Sequence, residues 1–249
     1  FDFVLPKILK IFYQSCLELL LRSRFQCINF IIMGQVKAII FDLDGTLIHS
    51  APDLHAAANV MLLEMNRMTL DLATIISFIG NGVEVLVEKC LIATGDSDKL
   101  IYQKALERFL EAYAADMTTL TEPYRGVVPA LEGFCLAGIP LGICTNKPEK
   151  PAKEICLLLD LTQYFKVIKG ALPGRPKKPD PQPLLNCCKL LNCDPAETLY
   201  VGDSIIDYQT ARNANIMFRL YSKGYLNEPL PDLPSKDQFS SWGEHGIEI

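Results

Sequence analysis

Histidine is scarce in this chain, which has only three among 249 residues. None of the nine cysteines belongs to a Cys-x-x-Cys pair, so the ligand pattern typical of zinc sites is missing. The cysteines are odd in number and scattered, and most of them stand within apolar runs. We therefore expect reduced, mostly buried thiols in a cytoplasmic protein, and neither a disulfide framework nor a zinc centre.

An excess of basic residues is also absent. The 24 Lys and Arg residues are outnumbered by 29 Asp and Glu, which gives a formal net charge of −5. A nucleic-acid partner is not expected, because binding would require a strongly basic face. Long apolar runs are missing as well. The most apolar region, residues 1–33, is interrupted by charged residues, so neither a membrane span nor a secretory signal is predicted.

Residues 1–34 form an N-terminal extension whose role is open. It could be an amphipathic helix packed on the domain, a weak membrane-surface helix, or translated upstream sequence with no evolved role. We favour the last interpretation, because the regular pattern of a compact domain begins only after Met33. No function is inferred from this segment.

Helices and strands are predicted from Val36 onward. The run Val36–Phe41 is apolar and short, which favours a buried strand. Three apolar stripes at helical spacing follow, at Pro52–Arg67, Val83–Leu91 and Ile101–Tyr113. No strand is predicted between positions 51 and 121. Beyond Pro123 helices are predicted at Pro129–Ala137, Glu149–Leu159, Asp180–Leu191 and Ile205–Ala214, and strands at Ile139–Cys144, Phe165–Ile168, Thr198–Val201 and Ile216–Leu220.

This alternation predicts an α/β fold, with a Rossmann-like, doubly wound parallel sheet as its core and an all-helical cap inserted into it. We assign residues 35–51 and 124–249 to the core and residues 52–123 to the cap. The tail from Asn227 is rich in proline and charge, so weak structure is expected there.

The first predicted strand is followed by Asp42-Leu-Asp44-Gly45. Ligands of open α/β sheets bind at the carboxyl ends of the strands. Two carboxylates at this spacing could face one small site, where one attacks an electrophile or binds a metal and the other handles a proton. A plain surface turn is the alternative, since Asp and Gly favour turns.

Two further motifs follow later strands. Thr145 and Asn146 could form an anion cradle with their backbone N–H groups, or simply a turn or helix cap. Lys177 and Lys178 precede Pro179, where one of them could direct its ammonium at a buried anion; a solvated basic loop is the alternative.

The fourth motif combines a glycine with two carboxylates. Gly202 allows a close approach, and Asp203 and Asp207 stand four residues apart at a predicted helix start. Hard oxygen ligands of this kind suit Mg²⁺, although Asp207 could also serve as a helix cap.

Together and in this order, the four motifs resemble those of the haloacid dehalogenase superfamily, and the helical insert looks like its C1 cap. A finer resemblance, to the phosphoglycolate phosphatase family, is carried by Asp42–Leu54, Ser77–Val83, Thr145–Pro148 and Gly224-Tyr225. His49 and Asn215 depart from the family pattern without removing a catalytic group.

The resemblance implies the role of each site residue. Asp42 would be the nucleophile, and Asp44 would protonate the leaving oxygen and then activate water. Lys178, rather than Lys177, would act with Thr145 and the Asn146 backbone to hold the phosphoryl group. The cap loop Gly80-Asn81-Gly82 would recognise the substrate. The implied ligands of Mg²⁺ are Asp42, Asp44 through its carbonyl, Asp203 and Asp207.

The implied function is that of a Mg²⁺-dependent phosphatase that converts a small phosphate monoester, 2-phosphoglycolate, to glycolate and phosphate through an aspartyl-phosphate. The implied partner is this small substrate, and the implied assembly is a monomer or homodimer. The alternatives are a sugar phosphomutase similar to β-phosphoglucomutase, another small-metabolite phosphatase of the superfamily, and a non-catalytic phospho-acceptor or binding protein.

Overall fold

A parallel β-sheet occupies the centre of the protein in the computed structural model, which describes residues 36–96, 101–230 and 232–242. Along the chain the elements are β1 (Ala38–Phe41), β2 (Ile48–His49), α1 (Ala51–Glu64), α2 (Leu72–Ile76), α3 (Val83–Ala93), α4 (Tyr102–Ala115), β3 (Glu122–Pro123), α5 (Val127–Leu136), β4 (Leu141–Pro148), α6 (Glu149–Leu158), β5 (Phe165–Ala171), α7 (Gln182–Leu191), β6 (Thr198–Gly202), α8 (Ile205–Ala214), β7 (Met217–Tyr221) and β8 (Gln238–Phe239). The N-terminal extension lies outside the described residues.

The strand order in the sheet is β5-β4-β1-β6-β7-β8, and every neighbouring pair is parallel. The order reverses at β1, which pairs with β4 on one side and with β6 on the other. This is the doubly wound α/β arrangement, so the predicted fold class is confirmed. The reversal also brings the carboxyl ends of β1, β4 and β6 side by side, where such sheets bind ligands.

The two faces of β1 are covered by different partners. Ala38 and Ile40 belong to a buried cluster with residues of α7 and α8, such as Leu184 and Ala211. Phe41 points to the other face, where its ring lies 6.3 Å from that of Phe134 on α5. All four residues of β1 are fully buried, as the short apolar run predicted.

Helices α1–α4 are inserted between β2 and β3, which pair with each other antiparallel. The three predicted apolar stripes correspond to α1, α3 and α4, and the structure adds the short α2. Asp53 of α1 joins the start of the insert to its end. Its carboxylate accepts hydrogen bonds from the backbone N–H groups of Leu120 and Thr121 and from the Thr121 hydroxyl.

Several predicted boundaries need correction. Strand β4 continues to Pro148 instead of ending at Cys144, because pairing with β5 resumes at Pro148 and Ala171 after an irregular stretch. Helix α5 begins at Val127, two residues before the predicted Pro129. The extension of β4 arises from its neighbour in the sheet rather than from local composition.

The expectation of weak structure in the tail from Asn227 needs correction at two places, and residues 231 and 243–249 lie outside the described part of the chain. Residues 238–239 form β8 at the edge of the sheet, and Trp242 is 1% exposed, with its ring 6.0 Å from that of Phe41. The large aromatic side chain of Trp242 is buried with Leu230 and Leu233, whereas most of the other described residues of the tail are exposed.

All seven cysteines in the described part of the chain are free thiols, and five of them are buried. No helix in the described ranges is both long and apolar enough to cross a membrane.

Candidate active site

Three carboxylates lie together at the carboxyl edge of the sheet. Asp42 follows β1, and Asp203 and Asp207 follow β6 at the start of α8. All three are buried, and one oxygen from each lies within 4.8 Å of those of the other two. Burial of several carboxylates is unfavourable without cations nearby, so this cluster has the charge and the donor atoms to hold a divalent metal ion such as Mg²⁺.

Asp203 is held by two loops, one after β1 and one after β7. Its Oδ1 accepts a hydrogen bond from the Thr46 hydroxyl at 2.9 Å, and its Oδ2 accepts one from the Tyr225 backbone N–H at 2.6 Å. Gly45 makes this approach possible, because its φ is +88° and a Cβ at this position would overlap Asp203 Oδ2. The Asp-x-Asp-Gly motif therefore uses its glycine to admit the Asp203 carboxylate.

Asp207 is surrounded by donors. Its Oδ2 accepts hydrogen bonds from the Ser204 backbone N–H and hydroxyl, which completes the N-terminal capping box of α8. Its Oδ1 accepts hydrogen bonds from Lys178 Nζ at 2.6 Å and from the Tyr200 hydroxyl at 2.8 Å. Asp207 therefore caps the helix and also lies in the acidic cluster, so its role as a cap leaves it beside the other two carboxylates.

The structure distinguishes the two candidate lysines. Lys178 is buried, and its Nζ lies 2.8 Å from Asp42 Oδ1 and 2.9 Å from the Tyr200 hydroxyl. Lys177 is exposed, and its Nζ donates to the backbone carbonyl of Asn81 at 2.9 Å. Lys178 is therefore the lysine at the acidic cluster.

Burial and charge shift the protonation of this cluster. Burial raises the pKa of Asp42 to about 6, although the Lys178 ammonium opposes the shift. Burial and the neighbouring carboxylates Asp207 and Asp42 raise the pKa of Asp203 well above its usual value. Burial would also raise the pKa of Asp207, but Lys178 holds it below its usual value. One ammonium does not balance three carboxylates, which is the electrostatic reason that a divalent cation fits here.

Asp44 lies apart from this cluster. Its Oδ1 accepts a hydrogen bond from the Ser50 hydroxyl at 2.5 Å, and Lys147 Nζ lies 3.1 Å from the same oxygen. The Lys147 ammonium also donates to the hydroxyl of Tyr113, on α4, at 2.7 Å. The two carboxylates of the first motif thus have separate lysines, Lys178 for Asp42 and Lys147 for Asp44.

Asn146 connects the core with the inserted helices. Its side-chain amide donates to the carbonyls of Gly80 and Lys178, both at 3.0 Å, and accepts from the Lys178 backbone N–H at 2.9 Å. With these bonds made, the backbone of Asn146 is the part left to bind an anion. The neighbouring Thr145 hydroxyl accepts a hydrogen bond from the Lys147 backbone N–H at 3.2 Å and keeps its own proton to donate.

A cavity of about 60 Å³ lies between the inserted helices and the sheet edge. Gly80 and Gly82 line it, as do Asp42 and Asp44, but Asn81 is not among the described lining residues. Gly82 precedes α3 with a φ of +90°, which ends the loop as the sequence predicted. The loop therefore reaches the cavity through its glycines, while the Asn81 carbonyl is bonded to Lys177.

Sequence reasoning missed Lys147, Tyr113 and Tyr200 as members of the site. Lys147 was part of the Thr-Asn-Lys run, but only its neighbours were assigned a role. Tyr113 was counted in an apolar stripe and Tyr200 in a buried strand. A hydroxyl within such a pattern was the available signal, because buried tyrosines usually need a hydrogen-bond partner.

The family model of the haloacid dehalogenase-like hydrolases matches residues 39–220. This range includes every residue of the candidate site named above except Tyr225. The chain belongs to the haloacid dehalogenase-like hydrolase family. This confirms the resemblance to the haloacid dehalogenase superfamily that the four sequence motifs predicted.

Relatives within this family are similar over most of the chain. A phosphoglycolate phosphatase of Cereibacter sphaeroides is 42% identical over 210 residues, which cover 84% of this chain and 95% of that protein. Another, from Rhodospirillum rubrum, is 38% identical and covers 84% of this chain and 90% of its own length. A solved structure described as a predicted phosphoglycolate phosphatase, from Haemophilus somnus, is 28% identical with a TM-score of 0.74, and covers 78% of this chain and 89% of its own.

Proposed function

We propose that this hydrolase is a Mg²⁺-dependent phosphatase that converts 2-phosphoglycolate to glycolate and phosphate through an aspartyl-phosphate on Asp42. The observation that carries the proposal is the pair of carboxylates after β1: Asp42 is paired with the buried Lys178, and Asp44 is held separately by Lys147 and Ser50. The choice of substrate is supported by the relatives, which are named for it.

In the first step Asp42 attacks phosphorus and the bond from phosphorus to the glycolate oxygen breaks. Asp44 donates its proton to the departing oxygen. In the second step Asp44 takes a proton from water, whose oxygen attacks phosphorus and releases the Asp42 carboxylate together with inorganic phosphate. A second carboxylate is required for both proton transfers, which distinguishes an enzyme from a simple phospho-acceptor.

Lys178, the Thr145 hydroxyl and the Asn146 backbone would hold the phosphoryl oxygens during both steps. Asp42, the Asp44 carbonyl and Asp203 would hold Mg²⁺, and Asp207 would orient Lys178 and the N-terminus of α8. When bound, the metal ion supplies positive charge that lets a carboxylate approach a dianionic phosphate.

A panel of phosphate esters tests this proposal by release of inorganic phosphate with Mg²⁺ and with a chelator. We expect Mg²⁺-dependent release that is fastest from 2-phosphoglycolate. Conversion of a sugar phosphate to its isomer without phosphate release would identify a phosphomutase instead. Absence of turnover with every ester would favour the non-catalytic alternative.

The free thiols support the cytoplasmic location that we infer from the sequence. Cys144 on β4 and Cys187 on α7 are both buried free thiols. Such thiols are typical of proteins kept in a reducing compartment.

A further inference from the structure

The cavity above the acidic cluster has an uneven distribution of charge. Much of its described lining is apolar, including Leu54, Val83, Leu86 and Phe109. Its charged side chains are Asp42, Asp44 and Lys147, so Lys147 is the single cation among the described lining residues. Since Lys178 is taken up by Asp42 and Asp207, the Lys147 ammonium is the charged group of the described lining that would attract a second anionic group beside the phosphoryl group.

Lys147 is rigidly held at that position. Its side chain is 4% exposed, and its Nζ lies 3.1 and 3.3 Å from the two Asp44 oxygens and 2.7 Å from the Tyr113 hydroxyl. The three N–H donors of the ammonium are directed at the two Asp44 oxygens and the Tyr113 hydroxyl, so a substrate carboxylate would replace the longest of these bonds, the one of 3.3 Å to Asp44 Oδ2. The acceptor partners come from both sides of the cavity, Asp44 from the core and Tyr113 from α4.

The cap loop is less suited to an anion. The first turn of α3 carries Glu84, whose Oε2 would lie 3.2 Å from a Cβ at Gly82. A carboxylate beside this helix start opposes the binding of another anion.

We propose that Lys147 binds the carboxylate of the substrate and thereby selects short phosphorylated carboxylic acids over uncharged phosphate esters. The inference rests on the proposed phosphatase function, and it assigns substrate recognition to Lys147 instead of the side chain of Asn81. Tyr113 is then the positioning residue that holds the ammonium from the cap side.

The test compares 2-phosphoglycolate with phosphoglycolamide, in which a neutral amide of nearly the same shape replaces the carboxylate. The ratio of kcat/KM for the two esters is measured in the wild type, in Lys147→Met and in Lys177→Met. We expect Lys147→Met to reduce the preference for 2-phosphoglycolate about 10- to 150-fold, the effect of losing a hydrogen bond to a charged group. Lys177→Met removes the same charge outside the cavity and should leave the ratio unchanged.

Equal losses with both esters in Lys147→Met would overturn the inference, because Lys147 would then serve Asp44 alone. The same conclusion would follow if the wild type did not distinguish the two esters. Failure of the wild type to hydrolyse either ester would instead overturn the proposed function.

A second measurement applies if Lys147→Met does not fold. In the Asp42→Asn protein, which should bind without turnover, the Lys147 side-chain nitrogen is followed by NMR. Addition of 2-phosphoglycolate should shift this resonance, and phosphoglycolamide should shift it much less. Equal shifts with the two ligands would contradict carboxylate binding by Lys147.

Discussion

Replacement of Lys178 by Met removes the ammonium that contacts both Asp42 and Asp207 in the acidic cluster. The lysine side chain is 2% exposed, and its Nζ lies 2.8 Å from Asp42 Oδ1 and 2.6 Å from Asp207 Oδ1. Met has a similar length and fills the same space, so the change is mainly one of charge. We expect loss of phosphatase activity and a large loss of stability, because buried carboxylates remain without their cation.

The magnitude follows from the burial of both partners. Breaking a buried ion pair by removing one member costs about 3–5 kcal/mol. For a domain of this size each kcal/mol lowers Tm by about 2–4 °C, so the expected decrease is roughly 6–20 °C.

The effect should also depend on pH. The pKa of Asp42 is already raised to about 6 by burial, and without Lys178 it should rise further. A carboxyl group whose pKa is raised on folding stabilises the protein at low pH, and this contribution is lost as the pH rises through the folded-state pKa. The destabilisation should therefore be larger at pH 8 than at pH 5.

Thermal denaturation by circular dichroism in the presence of a chelator measures this effect, with Lys177→Met as the matched control. Lys177 is exposed, so its replacement should change the free energy of unfolding by less than about 0.5 kcal/mol. Similar decreases in Tm for the two variants, or a decrease for Lys178→Met that is larger at pH 5, would refute the charge balance described for this cluster.

Three further predictions concern other parts of the molecule. Asp42→Asn should lower kcat by at least about 1,000-fold, because an amide is a poor nucleophile; a near-normal rate in a folded variant would contradict the aspartyl-phosphate mechanism. The affinity for Mg²⁺, measured by calorimetry, should weaken at least about tenfold per pH unit below about 6, because protons on Asp42 and on Asp203, whose pKa is also raised, compete with the metal ion. An affinity independent of pH would exclude Asp42 as a ligand. Trp242→Ala should lower the free energy of unfolding, measured with a denaturant, by about 3–5 kcal/mol, since the ring is buried against Phe41. A decrease below about 1 kcal/mol would show that the packing of Trp242 on the sheet does not stabilise the fold.

Much of this fold could be predicted from the sequence because its signals are local. The short apolar runs and amphipathic stripes indicated β1, α1 and the later alternation of helices and strands, and α8 was predicted with its observed ends. The acidic cluster was also accessible, since carboxylates that follow parallel strands must meet at one edge of the sheet. Asp42 and Asp203 follow β1 and β6, which are neighbours.

Other features depend on contacts between distant parts of the chain. The sequence could not distinguish Lys177 from Lys178 beyond the family pattern, because only the fold brings Lys178 to Asp42. The β2–β3 pair and β8 are two residues per strand, too short to carry a periodic signal.

The sequence by itself determined the α/β alternation and the order of the motifs, because strand and helix periodicity and the residues next to strand ends are read over a few positions. Only the tertiary structure decided that Lys147 joins Asp44 to Tyr113, residues 103 and 34 positions away, and that Trp242 covers Phe41. These contacts depend on how the inserted helices and the tail pack on the sheet, and packing across such separations leaves no periodic pattern in the residues that take part.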